Sequence, residues 1–371
     1  MAGLVLGFAA DLLFGDPRRW HPVAGFGRAA GALERRWWAD SRVRGTAHVA
    51  ACLGATVATG LLAGRCGRHR PAAEALITAA ATWTVLGGQS LCAEGRTMGR
   101  LLDRDDLTGA RARLSHLAGR DPAGLGPAEL ARATVESLAE NTSDALVAPL
   151  LWGAVAGLPG LLGYRAVNTL DAMIGHRSPR YRRFGWAAAR LDDLANLGPA
   201  RASALLATAA APLVGGAPSA AVRAWRRDAG RHPSPNAGPV EAAFAGALGV
   251  TLGGVNRYGD RVENRGTLGD GPRPDAADIA RAVRLSRLVG LGGLALAAAT
   301  VCVVSRRRRP QSVSSRSPST CRYTSCRAAS RSGSGLAHNP RSVASVSRST
   351  MLRRAHGFDR FRNSWLSASS T

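Results

Sequence analysis

The stretch LVGLGGLALAAATVCVV, residues 288–304, carries no charge and is followed by four consecutive arginines at positions 306–309. Its 17 residues lie at the short end of the length that an α-helix needs to cross the hydrocarbon core of a bilayer. Basic residues directly behind such a run are typical of a helix that ends at the membrane–water boundary. The stretch therefore predicts a membrane-spanning helix.

Further apolar windows precede this helix, at residues 46–64, 74–93, 144–164, 202–222 and 240–255. The chain has 44 Gly residues and only 5% aromatic residues, and small side chains let membrane helices approach each other closely. We expect an all-α fold, a multi-pass α-helical integral membrane protein with polar active-site loops. The opening run, residues 2–14, is short and contains Asp11, so it either spans only partly or lies at the interface.

The window at 144–164 contains residues that interrupt helices, namely Pro149, Gly157, Pro159 and Gly160. If the polar segments on its two sides face one active site, the window cannot cross the membrane once, because a single crossing would separate them. Membranes tolerate broken helices where the backbone lines a cavity inside the protein. We therefore expect a re-entrant pair of half-helices here.

The composition changes abruptly at position 305. Residues 305–371 contain 14 Arg, 18 Ser and a single acidic residue, Asp359. A segment of this kind buries too little apolar surface to offset its ordering entropy, so it is predicted to be disordered. The chain thus divides into a membrane domain, residues 1–304, and an Arg/Ser-rich tail, residues 305–371. A native basic tail and an out-of-frame product of GC-rich DNA are both open interpretations of the tail.

The composition also excludes several kinds of site. All 49 basic residues are arginine, since the sequence contains no lysine. A Walker A phosphate loop and a Schiff-base lysine are therefore ruled out. The six cysteines show no C-x-x-C spacing, so a structural zinc site is not expected.

The densest polar segment is ESLAENTSD, residues 136–144. Its acids Glu136, Glu140 and Asp144 recur every four residues and would form one stripe on a helix, where like charges repel. We expect no basic residue on that helix to relieve them, whereas a divalent cation shared with substrate phosphates would. The stripe is thus a hypothetical Mg²⁺ site, and a solvated charged face is the alternative.

A second polar segment, residues 168–196, combines carboxylates, amides and arginines. Arginines on a short loop suit the capture of phosphate or carboxylate, although they could equally meet lipid head groups. On a following helix Asp192 and Asn196 share one face, while Asp193 points about 100° away. The candidate residues of this segment are Asn168, Asp171, Arg180, Arg183, Asp192, Asp193 and Asn196. A third segment, SPNAGPVE at residues 234–241, adds Ser234, Asn236 and Glu241 on a polar loop that could close over a ligand.

Five ordered motifs resemble the cobalamin-biosynthesis CobD/CbiB family over roughly residues 3–304. They are DLLFGDP at 11–17 followed by His21-Pro22, ESLAENTSD at 136–144, NTLD at 168–171, FGWAAARLDD at 184–193 and SPNAG at 234–238. The resemblance implies an adenosylcobinamide-phosphate synthase, a carbon–nitrogen ligase of the cell inner or plasma membrane. Such an enzyme joins adenosylcobyric acid to (R)-1-amino-2-propanol phosphate, or to free aminopropanol, with ATP and Mg²⁺.

The resemblance also implies roles for the candidate residues. Catalytic roles fall to Asp192, Asp193, Arg183, Arg180 and Asn196, with the arginines on phosphate and an aspartate as base or metal ligand. Substrate-binding roles fall to Asp16, His21, Asn168, Asp171, Ser234, Asn236 and Glu241. The expected partners are the corrinoid, the aminopropanol phosphate and the lipid bilayer, and a homo-oligomer is left open.

Two functions of other classes remain open from the sequence. A non-catalytic membrane sensor or transporter of the AmpE type could be built on the same scaffold, although the clustered acids and arginines argue against it. A membrane-tethered nucleic-acid binder could act through the basic tail, and its binding would then depend strongly on salt. Nucleic acid is not the partner that we expect.

Overall fold

The computed structural model describes residues 1–17, 21–118, 120–176, 178–258 and 261–308. Within these ranges the regular secondary structure is helical except for one β-hairpin. The α-helices are α1 (Ala2–Phe14), α2 (Pro22–Trp37), α3 (Arg42–Gly67), α4 (Pro71–Val85), α5 (Gly88–Asp103), α6 (Leu107–Leu114), α7 (Pro127–Thr142), α8 (Ala148–Leu170), α9 (Trp186–Ala210), α10 (Pro218–Asp228), α11 (Ala237–Leu248) and α12 (Ala276–Arg308). The antiparallel strands are β1 (Leu252–Tyr258) and β2 (Arg261–Leu268). The predicted tail lies, from residue 309 onward, outside the described residues.

The described part of the chain holds five stretches that are long and apolar enough to cross a membrane. They are Arg42–Gly67, Pro71–Asp103, Pro127–Gly175, Trp186–Val214 and Ala276–Arg306. Large apolar side chains on these stretches, among them Leu62, Leu205 and Leu291, are exposed, as lipid-facing residues would be. The prediction of a multi-pass helical membrane protein is confirmed, and the windows at 46–64 and 288–304 lie inside α3 and α12.

Two of the predicted windows end earlier than expected. The window at 74–93 is interrupted after Val85, because Leu86 is extended and a new helix starts at Gly88. A carboxylate oxygen of Asp11 accepts a hydrogen bond of 3.3 Å from the amide of Gln89 in the first turn of that new helix. The window at 202–222 is interrupted by a 3₁₀ turn and by Gly215, whose φ of 78° ends the helix.

The window at 240–255 is not a membrane span, and the prediction of one was wrong. Its apolar residues belong to α11, a helix of 12 residues whose side chains are all buried inside the protein. Gly249 ends this helix with a φ of 68°. The glycine-rich segment that follows forms β1 and pairs with β2. Burial in a protein core, and not in lipid, accounts for the apolar composition.

The expected pair of half-helices is present in α8, whereas its re-entrant course in a membrane stays a prediction. Gly157 has φ 65° and ψ −150°, which breaks the helix one residue before Leu158-Pro159. A straight helix would hold Asp144 and Asn168 about 36 Å apart, yet their side chains are hydrogen-bonded at 3.4 Å. The chain therefore reverses at Gly157. From Asp144 to this tip the helix rises only about 20 Å, which is less than the hydrocarbon thickness of about 30 Å.

The reversal at Gly157 distinguishes two ends of the helical bundle. We call the end where Asp144 and Asn168 meet the site end, and the end at the bend of α8 the tip end. At the site end, Val85 and Asn168 both contact Arg165, and α12 contacts α7 through a 2.6 Å hydrogen bond between Ser286 and Thr142. At the tip end, α3 passes the bend of α8 so closely that a Cβ on Gly60 would lie 2.8 Å from Pro159. The functional residues described next gather at the site end.

Candidate functional site

Buried carboxylates and amides from three parts of the chain meet at the site end. We call Asp144, Asn168, Asp171, Asp192 and Asn196 the acidic centre. All five side chains are buried. Nδ2 of Asn168 donates to Asp144 at 3.4 Å and to Asp192 at 3.3 Å, and Nδ2 of Asn196 donates to the other oxygen of Asp192 at 3.0 Å. Asp171 lies within electrostatic range of Asp144 and Asp192.

Local helix geometry helps to aim two of these carboxylates. Asp144 lies in a π-helical turn, Ser143–Val147, and Asp171 begins a second one, Asp171–Gly175. The wider turns rotate the residues that follow out of α-helical phase, and such insertions are frequent at functional sites. Gly175 closes the second turn, where a Cβ would collide with a carboxylate oxygen of Asp171. The glycine therefore lets that carboxylate pack against the backbone.

One buried cation faces the acidic centre. Arg165 donates to Oδ1 of Asn168 at 3.3 Å and to the carbonyl oxygen of Val85, and it lies within electrostatic range of Asp16 and Asp144. Beside it, the hydroxyl of Tyr164 donates to Asn196 at 2.9 Å. One guanidinium offsets only one of the three carboxylates, and an uncompensated buried charge is costly. The centre therefore suits a further cation.

The N-terminal motif contributes Asp16 and His21 to the surroundings of Arg165. Burial raises the pKa of Asp16 to about 6, although a hydrogen bond with Ser90 and the charge of Arg165 oppose the rise. Burial also lowers the pKa of His21 to about 4, and Arg165 adds to that effect. His21 is thus neutral at pH 7, and its Nδ1 accepts a hydrogen bond from the amide of Val23 at the start of α2.

The arginines predicted to bind phosphate lie on the turn between Asp171–Gly175 and α9. Arg180 forms an ion pair of 3.1 Å with Glu34 and stacks over Trp38. Arg183 forms an ion pair of 3.5 Å with Asp40. Both arginine side chains remain about half exposed. The structure therefore places these two arginines against α2 and the segment before α3, and not among the carboxylates of the acidic centre.

Asp193 lies beside the acidic centre on a different face of α9, as the helical spacing predicts. Its carboxylate is partly exposed and lies 3.7 Å from Arg190. Its backbone carbonyl accepts a hydrogen bond of 2.8 Å from Asn236, so the loop before α11 is joined to the rim of the site. The hydroxyl of Ser234 accepts hydrogen bonds from the amides of Asn236 and Ala237 at the start of α11.

The expected carboxylate stripe is divided between two environments. Glu136 is fully buried and pairs with Arg120 and, at 3.3 Å, with Arg132. Since Arg132 lies on α7 itself, the expectation that no basic residue on that helix relieves the stripe was wrong. Asp144, by contrast, belongs to the acidic centre, roughly 12 Å further along the helix axis. Glu140 is buried between them.

Glu241 lies with Glu136 and not with the acidic centre. Its carboxylate is fully buried, His232 approaches it at 3.8 Å, and neither oxygen accepts a hydrogen bond from a described residue. Burial, together with the nearby charge of Glu136, raises the pKa of Glu241 to about 8. Glu241 therefore belongs to a buried network, which contains Arg120, Arg132, Glu136, Glu241 and Arg265. Its substrate-binding role stays a prediction.

The fit of the site to Mg²⁺ depends on how many ligands the protein supplies. Among the described residues, no three His, Cys, Asp or Glu side chains are placed so that they could hold a metal ion together. Mg²⁺, however, is usually bound by one or two carboxylates and by substrate phosphates. Asp144 and Asp192, joined through Asn168, fit that smaller role, whereas Glu136 is already neutralised by arginines.

Sequence reasoning missed several polar residues of these sites. Tyr164 and Arg165 fall at the end of an apolar window, and only their partners reveal their role. An arginine at membrane depth is nevertheless a functional signal in itself. Arg132 could have been found, because it precedes Glu136 by four residues, the spacing of helical ion pairs. Arg120 and Asn256, which are hydrogen-bonded to each other at 3.0 Å, are 136 positions apart and carry no local signal.

Comparison with known proteins agrees with the motifs. The model of a family described as CobD/Cbib protein matches residues 4–286. The chain is 58% identical over 307 residues to the cobalamin biosynthesis protein CobD of Mycobacterium tuberculosis (strain ATCC 25618 / H37Rv), which covers 82% of this chain and 96% of that protein.

More distant relatives carry the same name. The cobalamin biosynthesis protein CobD of Geobacter metallireducens is 47% identical over 283 residues, which covers 74% of this chain and 88% of that protein. That of Rhodobacter capsulatus is 42% identical over 311 residues, with 82% and 98% covered. No solved structure matches the chain.

Proposed function

Since the chain belongs to the CobD/CbiB family and acts in cobalamin biosynthesis, we propose that it forms the amide bond between adenosylcobyric acid and an aminopropanol arm. The amine is (R)-1-amino-2-propanol phosphate or free aminopropanol. The products are adenosylcobinamide phosphate or adenosylcobinamide, and ATP is the source of free energy. The protein would thus be an acid–amine ligase.

The acidic centre is the observation that carries this proposal. Three buried carboxylates face one buried guanidinium. This excess of carboxylates favours the binding of a cation. The reaction offers two cations, the ammonium group of the amine and the Mg²⁺ that accompanies ATP. A site that attracts either one supports amide formation from an amine and a phosphate-activated carboxylate.

The residues can be given separate tasks on the basis of their positions. Asp144 and Asp192 would hold Mg²⁺, since Asn168 keeps one oxygen of each carboxylate beside the same amide nitrogen. When bound, ATP with Mg²⁺ would supply the phosphoryl group that activates the substrate carboxylate. Asp193, partly exposed at the rim, would accept the proton that the amine must lose and would release it to water. Asn196 and Tyr164 orient Asp192.

Arg180 and Arg183 can serve as phosphate ligands only by leaving their present partners. Each forms an ion pair with an acid while about half of its side chain stays exposed. Exposed pairs of this kind contribute about 1 kcal/mol or less, so an incoming phosphate could replace the acid at small cost. Among the described residues no nucleotide-binding motif accompanies them, and ATP dependence therefore rests on the family resemblance.

The proposal includes the location of the protein. We place it in the cell inner or plasma membrane, with the site end toward the cytoplasm, where ATP is available. The segments that join the membrane helices at this end, residues 104–118, 120–126 and 178–185, would then lie on the cytoplasmic side. The lipid bilayer, the corrinoid and the aminopropanol phosphate are the partners that this arrangement requires.

Complementation of a cobalamin auxotroph that lacks this step tests the proposal. Cells that express the chain should grow on cobyric acid, whereas cells without it should grow only when supplied with cobinamide. A sensor or transporter of the AmpE type would not restore growth on cobyric acid. Failure of a stably inserted protein to do so, together with the absence of amide product in vitro, would overturn the proposed activity.

A further inference from the structure

A cavity of about 560 Å³ opens at the tip end of the bundle, on the side away from the acidic centre. It lies between the start of α1, the end of α3, the start of α4, the bend of α8 and the last turns of α12. None of its lining residues takes part in the acidic centre or in the ionic network around Glu136. The cavity is therefore a separate feature of the membrane domain.

The cavity exists because the bend of α8 stops short of its neighbours. Pro159 at the bend lies level with Gly60 of α3. The helix α3 continues for seven more residues, to Gly67, which adds about 10 Å. The helix α12 likewise passes the bend and lines the cavity as far as Ser305. A hollow between apolar helices at the edge of a bilayer is open to lipid.

The walls of this hollow are amphipathic. Leu61, Val155 and Val301 provide apolar lining, while Arg65 and Arg68 provide two positive charges against one acid, Glu74. The two arginines are three positions apart and so share one face at the end of α3. Neither forms an ion pair with any residue that the structure describes. Paired guanidinium groups of this kind bind phosphate well.

We propose that the cavity binds an anionic phospholipid, with the head-group phosphate at Arg65 and Arg68 and the acyl chains along Leu61, Val155 and Val301. Basic pockets between membrane helices on the cytoplasmic side bind anionic head groups in this manner, and we extend the same charge pairing to the opposite leaflet, where the proposed orientation places this cavity. The net positive charge selects an anionic lipid over a zwitterionic one, and the apolar wall selects a lipid over free phosphate. The lipid would fill the space beyond the bend of α8.

Thermal unfolding of the purified full-length protein in detergent tests the charge requirement. The midpoint Tm is measured against added phosphatidylglycerol, phosphatidylcholine or inorganic phosphate. Only phosphatidylglycerol should raise Tm. In a double variant, Arg65→Gln with Arg68→Gln, half of the effect should need at least about ten times more phosphatidylglycerol, as expected for the loss of charge-assisted hydrogen bonds. The matched control, Arg44→Gln with Arg223→Gln, removes two exposed arginines elsewhere and should respond like the wild type.

A second pair of variants tests the cavity without changing charge. Gly64 lines the cavity, and a Cβ at this position would meet no atom within 4 Å. Gly64→Phe should therefore fill the space and abolish the rise in Tm. Gly54 is equally open and lies on the same helix outside the cavity, so Gly54→Phe should keep the rise. Equal responses to phosphatidylglycerol and phosphatidylcholine, an equal response to inorganic phosphate, or an unchanged response in Gly64→Phe would each overturn the proposal.

Discussion

Asn168 donates hydrogen bonds from one amide nitrogen to the carboxylates of both Asp144 and Asp192. Each aspartate is 24 positions away in the sequence, one before and one after. The contact is possible only because the chain reverses at Gly157 and reverses again before α9. This single amide thus joins three motifs that the sequence presents as separate segments.

Replacing that amide by a carboxylate tests its bridging role. Asn168→Asp keeps the size of the side chain but adds a further carboxylate to the three of the acidic centre, at a position where a donor is needed, and close like charges repel. We expect turnover to fall by about 10² or more and Tm to fall as well. Asn264→Asp changes an exposed residue in β2 and should leave both unchanged. Normal turnover in Asn168→Asp would show that the bridge is not required.

The guanidinium of Arg165 should be needed for its shape as well as its charge. Arg165→Lys keeps the charge, but one compact ammonium cannot reproduce the fork that bonds both Asn168 and Val85. We expect kcat to fall about ten-fold, while Tm stays within a few degrees of the wild-type value. Arg111→Lys, which alters an arginine bonded to the carbonyl of Leu125, is the control. A loss of Tm without a fall in kcat would show a structural role only.

Because Glu136 is paired with arginines, replacing it should lower the stability of the protein and leave metal binding unchanged. Glu136→Gln leaves Arg120 and Arg132 buried without their anion, and breaking a buried pair costs about 3–5 kcal/mol. Chemical unfolding should report that loss, with the Mg²⁺ dependence of any remaining turnover unchanged. Glu94→Gln removes a more exposed pair with Arg113 and should cost about 1 kcal/mol or less. A stable variant with altered Mg²⁺ dependence would return Glu136 to the metal site.

The buried Glu241 predicts a stability that depends on pH. Its folded-state pKa of about 8 lies above the usual 4.5, so the folded protein binds this proton more tightly than the unfolded chain does. Stability is therefore lost as the pH rises from about 4.5 to 8. Glu241→Gln cannot ionise, and its advantage in Tm over wild type should grow across that interval and then level off. A difference that is constant with pH, or that shrinks as the pH rises, would contradict this assignment.

Local patterns predicted much of the membrane domain. Uncharged length identified α3 and α12, and the cluster of Pro149, Gly157, Pro159 and Gly160 predicted the reversal in α8, because proline and glycine disfavour the interior of a helix. Length and composition alone could not separate α11 from a membrane span. Its apolar surface is covered by neighbouring helices, and that covering is decided by tertiary structure.

The candidate site was predicted in part for a similar reason. Asp144, Asn168, Asp171, Asp192 and Asn196 stood out because polar residues beside apolar runs are unusual. Whether Glu136 belongs with Asp144 could not be read from their common helical stripe, since the π-helical turn and the distant Arg120 separate their environments. Contacts between residues far apart in sequence have no local pattern, and such contacts assign each acid to its partner.

The central claim is that the acidic centre carries out amide formation, and the turnover of Asp192→Asn tests it most directly. Purified full-length wild type and variant are compared for adenosylcobinamide phosphate formed from adenosylcobyric acid, aminopropanol phosphate and ATP across a Mg²⁺ titration. We predict that kcat falls by about 10² or more and that the variant requires more Mg²⁺. Its Tm should equal or exceed that of the wild type, because one of several like charges is removed. Wild-type kcat with unchanged Mg²⁺ dependence would contradict the account.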